Sequence, residues 1–209
     1  MNILYEDENI IIINKEAGIL SQKSDSEPSA ESLVSDYTGK PVYILHRLDR
    51  GISGALAFAK NQRAAADVSK MIAERKGFEK TYLAVVSGEP SDSAVLEDYL
   101  FKDSAKNKVF VVKSERKGAK FARLSYKRLA STEGLSLLSV TPETGRTHQI
   151  RVQLASRKMP ICGDGKYGSR VKGSIALFSH KIRLEYPRGN EIEATAIPDF
   201  APFDLFSLK

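Results

Sequence analysis

The sequence predicts an α+β fold built on a large, mainly antiparallel sheet. Three observations carry that expectation. Most of the second half consists of runs rich in β-branched and aromatic residues, several alternating apolar and polar as a half-buried sheet requires. Three segments show helical spacing or capping signals. No internal repeat, low-complexity tail or separate linker interrupts the 209 residues, so a single domain is expected over 1–209.

Residues 9–14 read Asn-Ile-Ile-Ile-Ile-Asn, a short β-branched run bounded by polar residues, which fits a strand buried on both faces. After Gly18 a serine-rich stretch reads as a loop, followed by a short helix at 28–37. Residues 43–49 and 54–60 read as strands joined by a tight Arg-Gly-Ile-Ser connection. Asn61 is a good N-cap for a helix to about residue 76, with Ala64, Ala65, Val68, Met71 and Ile72 at helical spacing. Further strands are expected at 80–87, 109–113, 121–130, 135–141, 175–186 and 191–197. Thr147 is placed to cap a helix reaching about residue 156, with Ile150 and Leu154 on one face.

Composition bounds the function class. With 42% apolar residues the chain has enough material for a sizeable core, which argues against disorder. A net charge of +6 and a pI near 9.3 fit a polyanionic partner such as nucleic acid. A single cysteine, Cys162, rules out an intrachain disulfide and fits a reducing compartment. The acidic N-terminus lacks the pattern of a signal peptide, and no apolar run nears the ~20 residues of a membrane span. A cytoplasmic protein without a membrane partner is therefore expected.

Three stretches carry chemistry. In His-Arg-Leu-Asp-Arg-Gly-Ile-Ser-Gly, residues 46–54, an extended backbone puts His46 and Leu48 on one face and Arg47 and Asp49 on the other. A neighbouring arginine favours an ionised Asp49, and an aspartate held charged in a cleft can act as base or nucleophile. The alternative is a structural ion pair at a strand end, against which Gly51 and Gly54 weigh by shaping the following turn. The Gly-x-Ser pattern there lacks the second glycine and the strand-to-helix turn of a serine-hydrolase elbow. In residues 143–153, Arg146 sits at a helix mouth, with His148 and Arg151 three apart on one side, an arrangement suited to phosphate or carboxylate, although taken alone such a helix start is more often a solvated face. Residues 160–168 place three glycines around Asp164 and Tyr167 and read as a constrained loop, for which a plain structural turn is the simpler account. The three histidines and one cysteine show no metal-ligand spacing, so no metal is expected.

Together with Lys-Thr-Tyr-Leu-Ala-Val-Val-Ser-Gly at 80–88 and the opening Asn-Lys-x-x-Gly turn at 14–18, these stretches resemble, in order and spacing, the motifs of the RluA-type pseudouridine synthases. The likeness covers essentially the whole chain. It implies isomerisation of uridine to pseudouridine within RNA, tRNA or rRNA, with no cofactor. It also implies a mixed, mostly antiparallel sheet in two halves, with flanking helices around a central basic cleft. Asp49 maps onto the catalytic aspartate, Arg47 onto the arginine that helps displace the target nucleotide, and Tyr82 onto the tyrosine that packs on the target base. Arg151 maps best onto the basic residue that pairs with the aspartate. Arg50, Lys80, Arg146, His148 and Lys166 would bind the RNA, largely through phosphate. Ile52, Gln153 and Lys158-Met159 depart from the family pattern, which commonly has Thr, His and Gly-His there. Many relatives carry an N-terminal accessory RNA-binding domain; this chain starts at the first catalytic strand, so that module is expected to be absent, and a monomer is expected.

The reaction breaks a C–N glycosidic bond, turns the uracil and rejoins it through carbon. One ionised carboxylate can serve by attacking the sugar, attacking the base or removing the ribose C2′ proton. Enzymes acting on a base must unstack it, and an inserted Arg47 can fill the vacancy. Two rivals remain: a non-catalytic RNA-binding module, which would normally show several aromatics on a platform, and an N-glycosidase, which normally needs two carboxylates.

Overall fold

In the computed structural model, which describes residues 1–187 and 189–208, the four isoleucines of 10–13 are at most 2% exposed, as a strand with two covered faces requires. The architecture is α+β with a large, mostly antiparallel sheet, as the sequence predicts. The chain forms two compact units: Met1–Lys80 with Phe178–Pro198, and Thr81–Leu177 with Asp199–Lys209.

In the first unit β1 (Asn2–Glu6) pairs antiparallel with β2 (Ile10–Lys15), and β2 with β4 (Ser53–Ala59). A two-residue β3 (Tyr43–Ile44) joins the far end of β4. Strand β10 (Leu177–Glu185) runs parallel to β4 at Phe178 and Ser179, then pairs antiparallel with β11 (Glu191–Thr195). Helix α1 (Ala30–Thr38) starts at a capping box of Ser29 and Ser32 and stops at Gly39, whose φ of +65° suits a residue without Cβ. Helix α2 (Gln62–Glu74) begins at Asn61, which accepts from Ala64 N–H at 2.9 Å, the expected cap. Its buried Ala64 and Val68 pack with Ile10, Ile12, Ala57, Ile182 and Leu184, each buried valine, isoleucine or leucine contributing about 1.5–3 kcal/mol.

The second unit is built on an antiparallel sheet. The order is β5 (Phe78–Ser87), β9 (Leu135–Pro142), β8 (Ala119–Thr132), β6 (Ser93–Asp103) and β7 (Lys108–Val112), every pair antiparallel. The residues of β5 before Thr81 belong to the first unit. Helix α3 (Gln149–Ser156) covers one face of the β6–β7 end, where Leu100, Val109, Ala122, Val152 and Tyr167 cluster.

Three local expectations are corrected. Only Tyr43 and Ile44 of residues 43–49 are strand; the charged stretch that follows is an irregular extended segment, because its backbone bonds to the loop at 18–21 instead of to a sheet neighbour. Thr147 does not cap α3. His148 holds the cap position at φ +51° without a side-chain cap, while Gln149 Oε1 accepts from Arg146 N–H (3.0 Å) and the Thr144 hydroxyl (2.7 Å). Strand β6 was not expected: buried Leu96 and Leu100 are four apart around Glu97-Asp98, which mimics helical spacing, yet 96, 98 and 100 share a strand face. Among the described residues no helix is long and apolar enough to cross a membrane.

Candidate active site

The segment 46–50 keeps the alternation of an extended chain. His46 and Leu48 are buried, Arg47 and Arg50 exposed, Asp49 half-buried. His46 Nε2 accepts from Ala57 N–H at 3.3 Å and its ring lies 5.6 Å from Phe78. Burial, and secondarily the charge of Lys80, hold its pKa well below the usual 6.5, so the imidazole is neutral and structural. This places a core anchor one residue before Arg47 and three before Asp49.

Loop 15–21 pins the aspartate's backbone on both sides. Ser21 Oγ donates to Leu48 O (2.8 Å) and accepts from Leu48 N–H (3.0 Å). On the other side Gly18 N–H donates to Arg50 O (2.8 Å), and Arg50 Nε donates back to Gly18 O (2.9 Å) while its Nη1 meets Glu27 at 2.9 Å. The turn itself closes through Ile52 N–H to Asp49 O at 2.9 Å. Beyond it, Gly54 has φ +113°, and a Cβ there would lie 2.2 Å from Ser179 O; this glycine lets β4 and β10 approach.

Lys15 is the residue that reading the sequence for charge clusters missed. Only 2% exposed, it closes strand β2 and donates through Nζ to Glu16 O and Ile19 O, both at 2.8 Å, with Arg50 O at 3.5 Å. Burial lowers its pKa to about 8, against the pull of the Asp49 charge. A cation is thus buried within the electrostatic reach of Asp49 and fastened to the loop that frames it. Its only signal in the sequence is a lysine directly after an isoleucine strand, in the Asn-Lys-x-x-Gly turn.

The second unit carries a connected set of its own. Arg151, 6% exposed on α3, forks onto Asp164, 1% exposed, through Nε (2.7 Å) and Nη2 (2.9 Å). Its guanidinium lies 5.2 Å from the centre of the Tyr167 ring. The Tyr167 hydroxyl meets His148 Nδ1 at 2.8 Å and accepts from Val109 N–H at 3.1 Å. The loop at 160–168 is therefore no plain turn: it supplies the acid that fixes the plane of Arg151 and the ring beneath it. Tyr82 lies on β5, 8% exposed and opposite Val140. Gln153 is fully buried and donates to Asp98 Oδ2 at 2.7 Å and Leu96 O at 3.2 Å.

The remaining candidates are spread across both units. Lys80 lies 5.5 Å over the Phe78 ring with its pKa lowered by burial. Arg146 donates from Nε to Phe121 O at 2.9 Å, and Lys166, exposed in a 3₁₀ turn at Gly165–Tyr167, donates to Asn107 O at 2.9 Å. Arg47, Arg50 and Lys166 are exposed, as phosphate-binding groups must be.

Residues 9–156, which include the pinned aspartate and most of α3, match the family model for RNA pseudouridylate synthase. The chain belongs to the RNA pseudouridylate synthase family. It is 36% identical to the tRNA pseudouridine synthase C of Vibrio parahaemolyticus, over 91% of this chain and 87% of that one. It is 34% identical to the ribosomal large subunit pseudouridine synthase D of Borreliella burgdorferi, over 95% of this chain and 64% of that one. In structure it matches the human RNA pseudouridylate synthase domain containing 1 with a TM-score of 0.79 at 22% identity, over 95% of this chain and 83% of that one, a likeness of fold. As an RNA pseudouridine synthase the chain is an isomerase.

Proposed function

We propose that this synthase converts specific uridines of a tRNA or rRNA to pseudouridine with Asp49 as its catalytic carboxylate, the two units serving as one catalytic domain in a cytoplasmic monomer. The observation that carries this reading is the half-buried Asp49, whose backbone is tied on both sides to loop 15–21 and whose charge acts on the buried Lys15. An acid meant only to neutralise a strand end needs no such frame.

Isomerisation conserves every atom. The glycosidic C–N bond breaks, a bond from the ribose to uracil C5 forms, and the proton lost from C5 is balanced by one gained at N1. Asp49 supplies the carboxylate, Arg151, set in plane by Asp164, supplies a fixed cation, and Tyr82 contacts the target base. Arg47 enters the stack in place of the extruded nucleoside. Arg50, Lys80, Arg146, His148 and Lys166 hold the RNA backbone. Asp164 is already engaged by Arg151, which disfavours the second carboxylate that a glycosidase needs.

The test is incubation with deproteinised total RNA from a strain lacking the protein, followed by mapping of pseudouridine through chemical blocking of reverse transcription. One or a few new sites are expected. Asp49→Asn should lose all product yet bind the same RNA within a few-fold. Release of free uracil, or undiminished product from Asp49→Asn, would overturn the assignment.

A further inference from the structure

At the β6–β7–β8 end of the second unit, α3 covers one face of the sheet; the opposite face carries aromatics. Phe101 on β6 stands opposite Phe110 on β7, and Tyr99 opposite Phe121 on β8, so cross-strand register puts all four rings on that face. Tyr99 and Phe121 meet edge to face at 5.9 Å. Phe110 and Phe121 are each 37% exposed, an unusual state for phenylalanine two strands apart on one surface. The Arg116 guanidinium lies 4.5 Å over the Phe101 ring and Lys108 lies 5.8 Å over Phe110. Residues 102–120 hold seven lysines and arginines against two acids, a surplus of five where the whole chain has a surplus of six.

We infer that this face is a stacking platform for unpaired nucleotides flanking the modified uridine. The occupant follows from the chemistry. An apolar face awaiting a protein partner would not carry a guanidinium and an ammonium over its rings within so basic a segment, whereas single-stranded RNA offers bases for exposed rings and a guanidinium plane, and phosphates for the cations. Phe110 and Phe121 are two strand spacings apart, about 10 Å, room for separate bases. The inference rests on RNA being the substrate and adds a contact for nucleotides outside the reacting one, on residues that take no part in the proposed chemistry.

The chain contains no tryptophan, so Phe110→Trp gives a single reporter. Titrating it with a single-stranded oligoribonucleotide of about twelve nucleotides should quench its emission, and a duplex of the same sequence should not. Phe110→Leu, which keeps apolar packing without the ring, should weaken binding of that oligonucleotide by about 5-fold or more and raise KM for the RNA with kcat unchanged. Equal quenching by duplex, absence of quenching, or an emission change that follows protein concentration and so marks a second copy would each overturn the platform. Product formation with an unaltered KM in Phe110→Leu would overturn it while leaving the synthase reading intact. Quenching by single-stranded RNA without product on any RNA would keep the platform and sink the catalytic assignment.

Discussion

Lys15 shows how a single side chain couples the frame of the site to pH. Its pKa falls from 10.5 to about 8 because burial disfavours the ammonium, and the charge of Asp49 opposes that fall. Between about pH 8 and 10.5 the unfolded chain therefore binds more protons at this position than the folded one, and stability must rise with pH across that window; below about 8 the cost is present in full. Denaturant unfolding of the native protein and of Lys15→Met should show a stability difference that shifts in favour of the native protein from pH 7.5 toward 10.5, by up to about 3 kcal/mol. A difference constant with pH would mean the ammonium is not strained by burial. Sequence reading drew attention to Asp49 because an acid between two arginines after an apolar run stands out, and to Arg151 through the family resemblance. It missed the parts played by Lys15 and Asp164 because a lone lysine after isoleucines and an aspartate between glycines each have an ordinary local explanation, and their partners are backbone carbonyls, which leave no mark in a sequence, and a guanidinium thirteen residues away.

Between elements, α3 and the loop that follows β9 and α3 are joined by the buried Arg151–Asp164 fork. Removing one partner of such a pair strands a buried charge, at a cost of about 3–5 kcal/mol, whereas an apolar pair of similar volume is nearly neutral. Asp164→Ala should therefore lower stability by that amount, Arg151→Met alone by a similar one, and Arg151→Met with Asp164→Leu should recover most of the loss in thermal or denaturant unfolding. If the double variant is no better than the singles, the fork is not where the energy resides. The same scale shows what patterning reveals about the fold. Alternation located β8 because one of its faces is covered, apolar β-rich runs located β5, β7 and β9, and Asn61 marked α2 because its cap is local. Strand β6 was hidden because Leu96 and Leu100 fit two periodicities, and the α3 start because its cap comes from Gln149 reaching back to Thr144 and Arg146.

At the scale of the molecule, the way the chain is threaded sets what must be present for the catalytic segment to exist. The first unit is discontinuous: β4, which follows Asp49 directly, has β10 as a neighbour, and β10 enters more than a hundred residues later. No local pattern encodes that pairing; only Gly54 hints at it, since its missing Cβ leaves space for Ser179 O. Ser179, fully buried, donates from Oγ to Ala55 O at 2.8 Å, and Ile182 and Leu184 of the same strand complete the core over Ile10, Ile12 and Ala57. Fragment 1–176 should therefore fail to fold its first unit, despite retaining every residue given a catalytic or binding role. Gly54→Ala should act in the same direction by a different route, because a Cβ 2.2 Å from a backbone oxygen forces β4 and β10 apart and φ +113° is strained for any residue with a side chain. Amide hydrogen exchange is the measurement: in both variants protection of β2 and β4 should collapse toward that of an open chain, and a Gly54→Ala protein whose β4 amides exchange as slowly as the native ones would show that the β4–β10 contact does not govern this unit.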